Sequence, residues 1–230
     1  MGSRNILSRL GAQLALACMC AALCATAVAS DPIPQVSPDG MRLQQSKDAR
    51  ILYKRDGADF GKYRQFKILD AQIEFEKNWQ REYNRDMMGR QRVRDKDMER
   101  LKKELASEFR RVFEAELVKG GYALANEPGP GVLVLQPAII DLVVSAPDLS
   151  TAPATTVVRS AGAMTLHLEL VDGSSNEIVA RIIDRQEGDD DIARVATRAS
   201  NRAAASDILE DWASKLRSHL DAARASSPAP

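Results

Sequence analysis

Two histidines, three cysteines and a scatter of carboxylates and serines are the residues of this chain whose types could do chemistry. Histidine titrates near neutrality and serves acid–base chemistry when a second group stands beside it. His167 lies between Leu166 and Leu168 on the polar side of an alternating run. His219 lies among Ser218 and Asp221 near the end of a helical pattern, where it suits the helix dipole. Neither has a cluster of ligand or nucleophile type near it, so both read as structural or surface residues. A serine nucleophile needs a Gly-x-Ser-x-Gly elbow between a strand and a helix. Val158-Arg159-Ser160-Ala161-Gly162 lacks the first glycine and leads into a strand. Glu187-Gly188-Asp189-Asp190-Asp191 is the one dense acidic cluster, but it lacks the alternate spacing of a calcium loop and reads as a solvated loop before a helix. Asp141 and Asp184 are carboxylates that could pair in space for hydrolysis, which sequence cannot show. No catalytic, cofactor-binding or metal-binding residue is assigned, and no cofactor is expected.

The cysteines carry a different message. Cys18, Cys20 and Cys24 all lie within residues 1–29, where Arg4 and Arg9 precede an apolar run over 14–25 and Ala27-Val28-Ala29 forms a small-x-small cleavage signal. That is the grammar of a secretory signal peptide cut near Ala29/Ser30. The product is expected in the periplasm or secreted, without disulfides, thiolate chemistry or a cysteine metal site. A lipid anchor is the rival reading, but Cys18 follows Ala17 with Ala15 where leucine is wanted. The apolar run is too short to span a bilayer, which needs about 20 residues, and no later run is longer. The mature chain is therefore expected to have no transmembrane helix.

Charge and aromatic content narrow the partners. Lys and Arg number 32 and Asp and Glu 32; loss of Arg4 and Arg9 leaves a net charge of about −2, with no overall pull toward nucleic acid. Aromatics are 5%, little material for a stacking platform. Arg90, Arg92, Arg94, Lys96, Arg100, Lys102 and Lys103 form a basic stretch, but Asp86, Asp95, Asp97, Glu99 and Glu104 interleave as on a solvated helix face. No phosphate-cradling glycine loop is present. Trp79 and Tyr83, four apart, share a helical face and either anchor a partner or pack on their own domain. Residues 145–156 are a Pro- and Thr-rich connection, either a recognition loop or a mobile one.

The elements that must position these groups follow from periodicity. Residues 30–49, with Pro32, Pro34, Pro38 and Gly40, read as a polar arm, and 224–230 as a disordered tail; 50–223 is expected to be one domain. A short strand at 51–53 precedes the turn Asp56-Gly57-Ala58-Asp59. A strand over 64–76 follows, whose alternation slips at Leu69, so a bulge or two-sided burial is expected. Met98, Leu101, Leu105, Phe109, Val112, Phe113 and Leu117 step by three or four, a helix with Asp95 as N-cap and Gly120-Gly121 as terminator. The apolar run 132–144 reads as a strand covered on both faces, with Pro137 at a bulge or edge. Met164, Leu166, Leu168 and Leu170, then Ile178, Ala180 and Ile182, form a hairpin across Asp172-Gly173-Ser174-Ser175-Asn176. A final helix over 198–222 buries Ala205, Ile208, Leu209, Trp212, Leu216 and Leu220. The fold class is α+β: a single mixed-sheet domain of strand–helix–strand–hairpin–helix order. Two amphipathic helices pack on one sheet face, with any parallel crossover right-handed.

Several strings in one order resemble a known bacterial family, the domain of unknown function family 3313. They are Asp56-Gly57-Ala58-Asp59 before Lys62-Tyr63-Arg64, Trp79 before Tyr83-Asn84, and Asn126-Glu127-Pro128-Gly129-Pro130-Gly131. Then come 135–142, Ser145-Ala146-Pro147-Asp148, 160–165 and Ile183-Asp184-Arg185. The resemblance covers about residues 37–222 and implies an exported α+β envelope protein, often lipid-anchored, with no catalytic residues to carry over; this chain departs in lacking a clean lipobox. The function expected is a non-catalytic binding or accessory module of the cell envelope with an envelope protein as partner. A hydrolase with paired carboxylates and a carrier of a small apolar ligand are the alternatives. Oligomeric state is left open.

Overall fold

In a computed structural model, residues 32–86, 92–145, 156–158, 162–188, 194–196 and 198–226 are described. Residues 1–29, read as a signal peptide, with the cysteines, and most of the 145–156 connection lie outside them. The elements are β1 (Arg42–Gln44), β2 (Ile51–Lys54), β3 (Gln65–Ile68), β4 (Gln72–Phe75), α1 (Trp79–Asp86), α2 (Asp95–Lys119), β5 (Ala123–Leu124), β6 (Val132–Val144), β7 (Thr156–Val158), β8 (Gly162–Asp172), β9 (Ile178–Glu187), β10 (Arg194–Ala196) and α3 (Arg198–Ser226).

Eight strands form one mixed sheet in the order β1-β2-β9-β8-β6-β3-β5, with β4 also beside β6. β7 and β10 pair separately. The expected hairpin is β8 and β9, and β2 adds antiparallel to its free edge. The chain is thus the expected single α+β domain, with more strands than periodicity alone resolves.

The strand expected over 64–76 is two strands. Both lie parallel to β6, β3 along Val132–Leu135 and β4 further on, and the phase slip at Leu69 is the break between them. This break explains Pro137, which sits inside a central strand and at neither the bulge nor the edge expected of it. The carbonyls of Gly131 and Leu135 accept from Arg64 and Leu69 N–H on the β3 side. Pro137 has the same parity, so its missing donor faces the gap where no ladder bond is formed. The bulge of β6 comes later, at Asp141, whose φ is 51° and where two residues oppose one of β8.

α2 begins at Asp95, the residue expected as its cap, and the cap lies one residue earlier. Arg94 is the N-cap, and the buried Asp97 carboxylate accepts from its N–H at 3.0 Å. The helix ends as glycine allows: Gly121 has φ 79°, its N–H donates to Val118 O, and Tyr122 N–H donates to Leu117 O, a Schellman closure. α2 and α3 lie together on one face of the sheet. Phe109, Phe113 and Leu117 meet Leu209, Trp212 and Leu216 there over Leu133, Leu135, Leu166 and Leu168. Arg217 of α3 donates to Glu116 of α2 at 2.7 Å.

Both ends of the domain depart from expectation. The polar arm over 30–49 contributes β1 and a fully buried Met41. From Pro34 it lies on the sheet face opposite the helices, where Tyr53 donates its hydroxyl to Pro34 O at 2.7 Å. There Arg181 bridges Glu169 and Asp39. At the other end, 224–226 are helical, and Arg224 stacks over Tyr122 and donates to Gly120 O at 2.9 Å. In each case an ion or hydrogen bond to the sheet or to the end of α2 orders a segment whose composition is merely polar.

The β8–β9 turn docks on the turn before β6 with no room to spare. A Cβ at Gly173 would stand 2.8 Å from backbone N and O of Gly129 and from O of Val132. Gly173→Ala is expected to cost about 2 kcal/mol by overpacking, some 6 °C in Tm. Gly129→Ala meets open space and should melt unchanged; equal melting of both variants in a calorimetric scan would refute this account.

Candidate functional site: a cleft between the helices and the end of the sheet

The apolar stripe of α2 does not stay buried along its length. Phe109, Val112, Phe113 and Leu117 are closed off, whereas Leu105 and Leu101, one and two turns earlier, are only half-buried. Here α2 faces the end of the β6–β8 ladder around Val143, Val144 and Gly162, and α3 contributes the small residues Ala204 and Ala205. The result is a cleft of about 480 Å³, a size that suits a small ligand or an inserted side chain. Its floor is Leu142 and Met164, and its walls are Leu105 and Ile208.

The rim is charged. Glu108 of α2 accepts two bonds from Arg111, at 2.6 and 2.9 Å, and a third from the Ser206 hydroxyl of α3 at 3.1 Å. The Arg111 guanidinium first, with Ser206, holds the Glu108 carboxyl below the usual glutamate range against the opposing effect of burial. Glu108 is thus an ionised strut between the helices. Arg111 is 60% exposed and free to meet an incoming anion with its outer face. Lys103, Glu104 and Arg202 complete the rim.

A second, smaller cavity of about 210 Å³ lies further along α3, beneath β2, β9 and β8. Among the described residues no group of three His, Cys, Asp or Glu could hold a metal ion. No helix among them is long and apolar enough to cross a membrane.

The residues that sequence singled out are not brought to one place. His167 is on the sheet face opposite the helices, where burial pushes its pKa down. His219 is on α3, bonded to Asp48 at 3.1 Å. Asp141 is exposed in the β6 bulge, and β8 separates that strand from β9 and Asp184. Asp184 is committed to structure: its Oδ2 accepts from Trp212 Nε1 at 2.8 Å and its Oδ1 from Arg50 N–H at 3.1 Å. A carboxylate pair from Asp141 and Asp184 therefore does not form.

Trp79 and Tyr83 pack on their own domain. Trp79 is 6% exposed and stacks between Phe75 and Tyr83 at 4.6 and 5.5 Å. The basic stretch is the solvated face of α2 where described, with Arg100–Glu104 and Lys102–Glu99 pairs along it. Residues 159–161 of the serine string and 189–191 of the acidic cluster lie outside the described residues.

The most engaged polar residue was not legible as such. Asp172 closes β8, and its Oδ1 accepts from Ser174 and Ser175 N–H. Its Oδ2 accepts from Tyr63 Oη at 2.8 Å and from Lys62 Nζ at 2.6 Å. The only sequence signal was its place as first residue of the turn, where Asp bonds its own backbone. Lys62 first, then the turn amides and Tyr63, hold its carboxyl far below the ordinary aspartate range.

Comparison with known proteins places the chain. The model of the family described as protein of unknown function, DUF3313, matches residues 36–216. No curated protein matches the chain. Among solved structures, the PelC dodecamer from Paraburkholderia phytofirmans is similar at 10% identity over 70% of this chain and 95% of that one, with a TM-score of 0.34. A neuraminyllactose-binding hemagglutinin homolog from Helicobacter pylori is similar at 13% identity over 76% and 98%, with a TM-score of 0.35. Values this low transfer no feature of either protein to this chain.

Proposed function

The chain belongs to the DUF3313 family of proteins of unknown function, and from that premise we propose that it is a non-catalytic binding or accessory module of the bacterial cell envelope. It is exported through the signal in residues 1–29 and works on the far side of the inner membrane. The observation that carries this reading is the cleft, where Leu101 and Leu105 of α2 are left half-buried while Phe109, Val112, Phe113 and Leu117 are closed off. An apolar floor with an ionised rim is the arrangement of a small interface, in which burial supplies affinity and the rim supplies orientation. A partner protein inserting one apolar side chain beside an acidic group would meet Leu105, Met164 and Ile208 inside and Arg111 outside.

The test is photo-cross-linking in intact cells from the full-length, signal-bearing chain. A photoreactive residue at Leu101 is expected to give a discrete adduct with one envelope protein. The same residue at Leu124, exposed on β5 and outside the cleft, should give none. Ala205→Glu, which puts a charge into the cleft, should abolish the adduct. No adduct from position 101 in a folded, exported protein, or equal adducts from both positions, would overturn the reading.

A further inference from the structure

The smaller cavity differs from the cleft in its construction. Its interior is apolar: Leu166, Leu168, Ala180 and Ile182 from the sheet, Trp212 and Leu216 from α3. Its polar lining is Ser46, Asp48, Lys54, Asp184, Lys215 and His219, with Lys54 at the far end of β2 over the Phe60 ring, and the bond between Asp48 and His219 ties the 46–49 segment to α3. That segment holds its own shape, because the Ser46 hydroxyl accepts from the N–H groups of Asp48 and Ala49, both at 3.1 Å. The pocket is partly open to solvent, and its apolar lining lacks packing partners on the open side. A cavity of roughly 150 Å³ lined by aliphatic and aromatic side chains stays dry and takes up benzene. This one measures about 210 Å³.

We propose that the cavity under β2, β9 and β8 is a binding site for a small apolar molecule, a single ring or a chain of about six carbons, entering past the Asp48–His219 pair. Trp212 is fixed in its wall by the bond to Asp184, so the site carries its own reporter. The interior offers a ligand dispersion and burial, and the mouth can solvate or pair one polar end. This site is separate from the cleft, so either can fail alone.

Toluene is the probe. The chain has two tryptophans, Trp79 and Trp212, so Trp79→Phe leaves Trp212 as the only indole. Toluene is expected to change Trp212 emission saturably and to raise Tm. Ala180→Leu, which grows into the cavity from β9, should weaken toluene at least about tenfold by occupying the space, without lowering Tm. Ala223→Phe at the mouth gives the same reading should Ala180→Leu not fold. Saturation-transfer NMR on the unsubstituted full chain reads binding without any change in the protein. Absence of a toluene signal by NMR would overturn the proposal. So would affinity kept within twofold in a folded filled variant, since the molecule would then sit elsewhere.

Discussion

Phe113→Ala is expected to remove about 4 kcal/mol of stability, some 12 °C in Tm, measured by thermal and urea melts followed at 222 nm. Phe113 has no exposed surface and stacks on Phe109 with ring centroids 4.0 Å apart, both on the face of α2 that meets the sheet. Its removal strands Phe109 and opens a void against Leu135 and Leu209, which belong to rigid neighbours and cannot collapse inward. Phe113→Leu should recover most of the loss. Val118→Ala, one turn on at a position 56% exposed, should change stability by less than about 0.5 kcal/mol. A Phe113→Ala loss no larger than that of Val118→Ala would mean that α2 is not anchored through this pair.

Asp172→Ala is expected to cost about 3 kcal/mol at pH 7, with a Tm about 9 °C lower. The carboxylate is nearly buried and is released from Lys62, Tyr63 and two turn amides at once, leaving the Tyr63 hydroxyl without its acceptor. Lys62 is half exposed, so solvent screens its share, and the amides and Tyr63 carry more of the loss. The pH dependence has a definite sign. Asp172 has a folded-state pKa below the ordinary value of 3.8, so its contribution is present above that value and is lost as pH falls through the folded pKa. Tm of the parent chain should therefore fall steeply below about pH 4, and the gap between parent and Asp172→Ala should narrow over the same range. A constant gap from pH 7 to pH 2 would show that the carboxylate's charge is not what holds the turn.

Tyr63 works in the opposite direction. Burial first, then the hydrogen bond to Asp172, pushes its phenol well above 10. Its contribution is present below pH 10 and is lost as pH rises through the folded value. Acid and alkali thus attack one hydrogen bond from its two ends.

Much of the fold was legible because it rests on local periodicity. The stripe of α3 and the alternation of β8 each need one buried face, and a buried face repeats at the period of its element. The slip at Leu69 was legible too, but its meaning was not. Two short strands along one long partner and one bulged strand leave the same trace, and only the position of β6 separates them. Pro137 is the same lesson in reverse. A proline in a strand argues for an edge, yet it is accommodated centrally because the neighbouring ladder is broken opposite its nitrogen.

The candidate site was legible only in its parts. Leu101 and Leu105 were placed on a core stripe, correctly as to face. That they remain half-buried depends on which residues of α3 and of the β6 and β8 ends face them, which no spacing encodes. Asp141 and Asp184 show the converse: two carboxylates free to meet in sequence are kept apart by β8 and by the bond from Trp212.

The sequence by itself determined the element types, the α+β class, the family and the faces that turn inward, because each depends on residues within a few positions of one another. The tertiary structure alone decided which strands neighbour β6, that the 34–44 segment joins the sheet, and that Asp172 reaches Tyr63 across the fold. It also decided that α3 bounds two cavities against the sheet, one of them shared with α2. Those features arise from how lengths and small residues on distant elements meet, and packing is a property of the assembled layers.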